Sequence, residues 1–241
     1  MIPIKDDNVV GGLPFVNYSF IVINLLVFAL LQFPLMGDPQ KSNDFIMNFG
    51  AVPSIIEQNQ KFFTIITSMF LHGGIMHLLG NMVFLWRFGD NIEKVMGSFF
   101  YFLFYMIGGI VALFAHLMTN HGSNLPCVGA SGAISAVLGA YIIMFPKNRV
   151  KVLWIGYGFG MSDVSALYFL GIWGAMQFVN GLGALGGIAS GVAFWAHIGG
   201  FVAGVVGGYF LRNKAARMKV IPMYNQNENF QKITNDSSFK D

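Results

Sequence analysis

Ser131 lies two residues after Gly129 and directly before Gly132, where a turn-forming stretch passes into an apolar run typical of a helix. A serine placed between glycines can occupy a tight turn with exposed backbone amides, which a nucleophile and its oxyanion site both require. The stretch has a second interpretation. Ser131, Ser135 and Gly139 are four residues apart, and small residues at this spacing let membrane helices pack closely. Taken alone, the stretch favours packing over catalysis.

Three further polar residues interrupt apolar stretches elsewhere in the chain: His77, Asn81 and His197. His77 and Asn81 are four residues apart, so they share one face of a helix. Histidine exchanges protons near neutral pH, and His197 can therefore act as the base for the Ser131 hydroxyl. The Ser131 backbone N–H, His77 and Asn81 can donate hydrogen bonds to an oxyanion. Because no carboxylate lies in the same half of the predicted membrane region, we expect a dyad without an acid.

Two other roles for these residues stay open. Each can be a structural residue that holds helices together inside the membrane. A zinc site built from His72, His77 and His197 is the competing chemistry. The sequence contains no H-E-x-x-H pattern, and the nearest acids, Asp90 and Glu93, fall at the opposite membrane face. We therefore predict no metal.

The elements that carry these residues are membrane helices. The 241 residues are 55% hydrophobic and 10% charged, whereas a soluble domain carries about 25% charged residues. Long apolar blocks predict six spans, at residues 16–35, 75–88, 99–118, 131–145, 164–179 and 192–211. We interpret residues 150–160 as an interfacial loop and residues 181–187 as a glycine-rich link. The single cysteine, Cys127, excludes an internal disulfide.

The basic residues predict the orientation of the spans. With the N-terminus inside, only Lys41 and Lys61 of the 14 lysines and arginines fall outside, so both termini are expected to be cytoplasmic. Ser131, His77 and His197 then all lie in the outer half of the membrane. The predicted organisation is a cytoplasmic N-terminus at residues 1–13, a six-helix domain at residues 14–211 and a polar cytoplasmic tail at residues 212–241.

In combination, these residues resemble the rhomboid intramembrane serine proteases of the bacterial type. The matching motifs are Pro14-Phe15-Val16-Asn17-Tyr18, His72 with His77 and Asn81, Asn91-x-Glu93-Lys94-x-x-Gly97, Gly129-Ala130-Ser131-Gly132, and Ala196-His197-Ile198-Gly199-Gly200 with Gly204 and Gly208. No one of these motifs is specific, but their order and spacing across three helices are. They cover the chain from about Pro14 to Phe210.

The resemblance implies an all-α membrane protein with a six-transmembrane-helix rhomboid-like bundle. It implies a catalytic dyad of Ser131 and His197, and an oxyanion site from His77, Asn81 and the Ser131 amide. It further implies transmembrane protein substrates, cut near the outer membrane face, and no cofactor. The glycines assigned to helix packing are Gly129, Gly132, Gly200 and Gly204, because small residues let the sixth helix approach the fourth.

Two positions depart from the family pattern. Many members carry Trp-Arg where this chain has Phe63-Thr64, which affects how the first loop is anchored. Many also carry an aromatic residue where this chain has Ser135. In those members the aromatic ring stacks on the histidine, so we expect another aromatic residue to hold His197 here, or a less rigid histidine.

The functional prediction is an intramembrane serine endopeptidase in the lipid bilayer of a bacterial plasma (inner) membrane. One alternative is a catalytically inactive rhomboid-like protein that binds membrane proteins, although such relatives usually lack the serine or the histidine. Another is a small transporter or channel, which would need polar residues in both membrane halves. The basic residues are spread without aromatic interleaving and the net charge is only +3, so no nucleic-acid partner is predicted.

Overall fold

The computed structural model describes residues 1–155, 159–186 and 191–224. Parts of three predicted segments therefore lie outside the described residues: the polar tail from residue 225, residue 187 of the glycine-rich link, and residues 156–158. The described helices are α1 Phe15–Val27, α2 Pro39–Phe49, α3 Pro53–Glu57, α4 Thr64–Thr67, α5 Ile75–Phe84, α6 Asp90–Met96, α7 Ser98–Thr119, α8 Ser131–Met144, α9 Ala166–Leu185 and α10 Phe194–Ala215. The described strands are β1 Ile2–Asp6, β2 Asn8–Val9, β3 Arg149–Ile155, β4 Phe159–Ser165 and β5 Val220–Ile221.

Three of the described helices are long and apolar enough to cross a membrane: Phe15–Leu35, which extends α1, then α7 and α10. A fourth candidate is a pair, Thr64–Phe70 and Ile75–Met96, that bends by 90°. Helix α8 is apolar but has only 14 residues, about 21 Å of helix. The fold is thus mainly helical and membrane-embedded, and length and composition alone identify three or four spans.

Helix α8 is the centre of the bundle. All residues from 132 to 142 are buried, and α10 packs directly on the α8 backbone. A methyl group on Gly200 would lie 2.1 Å from the Gly132 carbonyl oxygen, and one on Gly204 would lie 2.0 Å from the Ala136 carbonyl oxygen. Only glycine fits at these contacts, which bring the start of α10 beside the start of α8.

Residues 150–155 and 159–160 lie in paired β-strands, so the prediction of an interfacial loop was wrong. Strand β3 pairs antiparallel with β4, and β1 pairs with the other edge of β3. Val150 and Val152 are fully buried, while Arg149, the first residue of β3, is exposed. This alternation of apolar and basic residues is typical of a strand with one buried face.

The N-terminal residues are part of the fold as well. Strand β1 completes the three-stranded sheet, and β2 pairs with β5, which follows α10. The expectation of an all-α protein is therefore corrected by two small sheets. The predicted link at residues 181–187 also differs, because residues 181–185 continue helix α9.

Buried polar groups fix the helices beneath these sheets. The Asn91 side chain accepts from the Val9 N–H (2.7 Å) and donates to the Asp6 carboxylate (2.9 Å). The Tyr141 hydroxyl, on α8, donates to the same carboxylate (2.8 Å). The Asp7 carboxylate accepts a hydrogen bond from the backbone N–H of Arg149 (2.8 Å). We call these residues, together with Asn148, the sheet-side network.

Candidate active site

Ser131 and His197 lie in contact although 66 residues separate them in the sequence. Ser131 is the first residue of α8, and His197 lies in the first turn of α10. The distance from Ser131 Oγ to His197 Nε2 is 2.8 Å. The close contact of α8 with α10 at Gly200 explains this approach, since Gly200 follows His197 by less than one helical turn.

The loop before α8 holds Ser131 at the start of the helix. Cys127 pairs with Ala51 through two backbone hydrogen bonds (2.8 and 3.1 Å), and the Gly129 N–H donates to the Ser68 carbonyl (2.9 Å). Gly129 has a φ of +133°, a conformation that favours glycine. We predicted a helix-packing role for Gly129, but it lies in this loop and its close neighbour is the His77 ring. The N–H groups of the first helical turn, including that of Ser131, have no intrahelical acceptor.

The His77 ring faces the same glycine as Ser131. A methyl group on Gly129 would lie 3.0 Å from His77 Nε2 and 3.4 Å from Ser131 Oγ. The Gly73 N–H donates to His77 Nδ1 (3.3 Å). A ring nitrogen that accepts carries no proton, so the proton of neutral His77 is on Nε2. His77 therefore presents a donor towards the space beside Ser131.

Asn81 lies one turn further along α5 from His77, on the same face. Its side chain is buried, with 9% of its surface exposed. Within the part of the chain that the structure describes, no acceptor reaches Asn81 Nδ2. An unpaired buried donor costs free energy, and this cost is recovered if a ligand accepts a hydrogen bond from it.

The His72 ring packs against the His77 ring. The two rings meet edge to face, with centroids 5.2 Å apart. The His72 backbone is held from both sides by Gln32 of the first long helix, which accepts from the His72 N–H (3.0 Å) and donates to its carbonyl (2.8 Å). Among the described residues no hydrogen bond reaches either nitrogen of the His72 ring, so its visible contact is the packing against His77.

Helix α9 provides two contacts to His197 from residues that the sequence analysis did not name, although it expected an aromatic neighbour. The Trp173 ring lies 6.0 Å from the His197 ring, centroid to centroid, and Gln177 Oε1 lies 2.8 Å from His197 Nδ1. Trp173 supplies the aromatic neighbour that Ser135 does not, while the Ser135 hydroxyl donates to the Ser131 carbonyl (2.6 Å). The signal was available, because Gln177 is an amide inside an apolar span and such residues suggest function.

Two competing kinds of site find little support near Ser131. Among the described residues, no group of three histidine, cysteine or acidic side chains could hold a metal ion. Burial raises the pKa of the Cys127 thiol to about 12, so the thiol stays protonated near neutral pH and is a poor nucleophile.

Comparison with known proteins agrees with this geometry. The Rhomboid domain family model matches residues 59–214. Rhomboid protease GluP of Bacillus subtilis is 30% identical over 167 residues, which is 64% of this chain and 32% of that protein. Rhomboid protein 1, mitochondrial, of Saccharomyces cerevisiae is 26% identical over 214 residues, 84% of this chain and 55% of that protein. Presenilin-associated rhomboid-like protein, mitochondrial, of Bos taurus is 27% identical over 127 residues, 47% of this chain and 34% of that protein.

The chain thus spans between about a third and about half of the length of these relatives. The family model covers more than half of this chain and includes Ser131, His197, His77, Asn81 and Gln177. Together with the long apolar helices, the match shows that the chain is a multi-pass membrane protein and belongs to the rhomboid family.

Proposed function

We propose that this chain is an intramembrane serine endopeptidase that cleaves transmembrane segments near the outer membrane face. Ser131 is the nucleophile and His197 is the base. The observation that carries the proposal is the 2.8 Å contact between Ser131 Oγ and His197 Nε2, made between two helices. The similarity to Rhomboid protease GluP supports the same activity.

In the first step, His197 Nε2 takes the proton of the Ser131 hydroxyl as Oγ attacks the carbonyl carbon of the scissile peptide bond. The carbonyl oxygen becomes an oxyanion. The Ser131 N–H, His77 Nε2–H and Asn81 Nδ2–H donate to it, and the N-terminal end of α8 adds a favourable dipole. The unpaired Asn81 donor supports this role, because a preformed donor needs no rearrangement when the charge appears.

In the second step, the protonated His197 gives its proton to the leaving amine, and the peptide C–N bond breaks. The remaining acyl group is an ester of Ser131. A water molecule, deprotonated by His197, attacks this ester carbon and restores the free Ser131 hydroxyl. No cofactor enters these steps.

Strand pairing supports six spans with both termini on one side. Strand β1 precedes α1 and pairs with β3, which follows α8, while β5 follows α10 and pairs with β2. Paired strands lie on one side of a membrane, so the chain crosses an even number of times between them. Four crossings up to α8 and two more by α9 and α10 satisfy this condition. Arg149 and Lys151 in β3, and Arg212 and Lys214 at the end of α10, favour the cytoplasm for this side.

The length of α8 supports a recessed site. Its 14 residues span about 21 Å, whereas the hydrocarbon layer is about 30 Å thick. With its C-terminal end near the cytoplasmic sheets, α8 begins below the outer surface. Ser131 would then meet a substrate segment within the bilayer, where an extended backbone can be gripped and a stable helix cannot.

The proposed partners are therefore transmembrane protein substrates and the surrounding lipid bilayer. The membrane in this proposal is a bacterial plasma membrane, and membrane fractionation of the source cell tests it, since two of the relatives above are named as mitochondrial. A catalytically inactive membrane-protein binder is the alternative. The preserved contact between Ser131 and His197 argues against it, because a pure binder has no need of that contact.

The test uses the purified chain in detergent with a generic single-span substrate, and compares wild type with Ser131→Ala and His197→Ala. We expect cleavage by wild type that both substitutions abolish, and labelling of Ser131 by a serine-directed fluorophosphonate in wild type alone. Cleavage that survives Ser131→Ala would overturn the mechanism. A wild-type protein that neither cleaves nor labels would favour the binding alternative.

A further inference from the structure

Gln177 contacts the side of His197 that faces away from Ser131. The distance from Gln177 Oε1 to His197 Nδ1 is 2.8 Å, equal to that from His197 Nε2 to Ser131 Oγ. Gln177 lies on α9, half-buried, 20 residues before His197 in the sequence. The two ring nitrogens of His197 thus each have one partner, from different helices.

The chemistry of these partners determines which ring nitrogen of neutral His197 carries the proton. An amide oxygen can only accept a hydrogen bond, so the nitrogen that faces it must carry the proton. The neutral imidazole then has a bare Nε2, which can accept the Ser131 proton. The opposite amide orientation would leave the proton on Nε2, where it would face Ser131 and block the base.

We propose, on the basis of the function proposed above, that Gln177 is a positioning residue of the dyad. Its Oε1 holds the proton on His197 Nδ1 and turns Nε2 towards Ser131. The acidic member of a serine–histidine–aspartate triad orients its histidine in the same way. Gln177 does so without a charge, which suits a site inside the membrane because a carboxylate there is costly.

Trp173 and Gln177 each restrict a different aspect of the orientation of the His197 ring. They are four residues apart on α9, on one face of the helix. Trp173 packs against the imidazole ring and limits its tilt. Packing alone does not distinguish the ring from one flipped by 180°, which would exchange each nitrogen for a carbon. The hydrogen bond to Gln177 makes this distinction.

The test compares three variants of the full chain. Gln177→Met keeps the length of the side chain and removes the acceptor, while Gln177→Glu keeps an acceptor oxygen. Asn180→Leu is the matched control, because Asn180 is an exposed amide on the same helix. We expect kcat to fall about tenfold in Gln177→Met, the worth of one hydrogen bond, with KM unchanged. Asn180→Leu should behave as wild type.

The Gln177→Glu variant adds a readout that a merely structural role would not move. A carboxylate beside Nδ1 stabilises the protonated imidazole. The acidic limb of the pH–kcat profile should therefore move to higher pH, while kcat at high pH stays close to wild type. His77 and His116 are the titratable groups of the described chain that act electrostatically on His197, and both are unchanged in all variants.

Nitrogen NMR of histidine-labelled protein reads the proton directly and requires no substrate. The His197 signals are assigned by their loss in His197→Ala. We expect Nδ1 protonated and Nε2 bare in wild type, and a mixture of the two forms in Gln177→Met. A proton on Nε2 in wild type, or an unchanged spectrum and kcat in Gln177→Met, would overturn the inference. Because the spectrum is independent of cleavage, it separates failure of this inference from failure of the proposed function.

Discussion

The buried polar groups at the two ends of α8 differ in whether they have hydrogen-bond partners. Near its C-terminal end, the Tyr141 hydroxyl donates to Asp6 and accepts from Asn148 (3.2 Å), so it is saturated. At its N-terminal end, the His77 ring lies near Ser131, and among the described residues no acceptor reaches Nδ2 of Asn81, one turn from His77 on α5. Both ends are polar and both are enclosed. They differ in whether the donors already have partners.

We interpret this difference as one between polar groups that stabilise the fold and a donor that remains available to a ligand. A buried donor without a partner costs about 1–3 kcal/mol. Such a cost is tolerable at a site where a negative charge develops, because the charge satisfies the donor in the transition state. In the sheet-side network, each hydrogen bond is already made, and its removal acts on stability instead.

The largest effect is expected from Asn81→Ala. Loss of one oxyanion donor typically lowers kcat by about 10²–10³. The melting temperature should stay the same or rise slightly, because the substitution removes an unpaired buried amide. Cleavage kinetics and thermal unfolding in the same detergent measure the two quantities. A kcat close to that of wild type would show that Asn81 is structural. It would contradict the proposed difference between the two ends of α8.

The reverse result is expected from Asn91→Ala in the sheet-side network. The substitution removes the bond to the Val9 N–H and leaves the Asp6 carboxylate with one donor fewer. We expect a loss of about 2 kcal/mol in the free energy of unfolding, with kcat per folded molecule nearly unchanged. Thermal unfolding and the fraction of fluorophosphonate-labelled protein provide the measurement. Equal stability of the two asparagine variants would contradict the division proposed here.

The smallest effect concerns pH and Asp6. Burial raises the pKa of Asp6 well above its usual 3.8, and the negative charge of Asp90 raises it further. A hydrogen bond from Tyr141 and the positive charge of Arg87 lower the pKa by less. The folded state therefore binds the proton more tightly than the unfolded chain. This contribution to stability is complete below pH 3.8 and is lost as the pH rises through the higher folded-state pKa.

Asp6→Asn imitates the protonated form at every pH. The variant should lose less stability than wild type as the pH rises from about 4 to 8, which thermal unfolding across this range measures. Asp38→Asn is the control, because bonds from the Lys41 backbone N–H and side chain lower the pKa of Asp38. The Asp38 contribution is lost as the pH falls, so its removal cannot reproduce the Asp6→Asn profile. A steeper profile in Asp6→Asn would refute the assignment.

The sequence alone was sufficient to predict which residues lie close to Ser131. Glycines around Ser131 and on α10 predict close helices, and intramembrane histidines at similar depth predict one site. The family match confirmed the rhomboid assignment. The catalytic roles stay predictions, although the distance between Ser131 and His197 is the one that they need.

The partners of His197 could not be predicted in the same way. Helix α9 is largely apolar, so its sequence does not show which face meets α10. Gln177 is noticeable as an amide within this span, but no local pattern links it or Trp173 to His197. The hairpin was missed for a different reason. Strands inside a membrane protein compete with the stronger signal of apolar helices, and β1 pairs with a segment nearly 150 residues away. No local pattern encodes that pairing.

The pairing of Asn8–Val9 with Val220–Ile221 sets the order of assembly. Strand β5 leaves the ribosome only after α10 has been made, so β2 must remain without its partner while all the intervening helices enter the bilayer. In the six-span topology proposed above, the β2–β5 sheet can close only when α10 has returned the chain to the side where it began. Closure of this small sheet would then require correct insertion of every helix between β2 and β5, because an odd number of crossings would leave the two strands on opposite sides of the membrane.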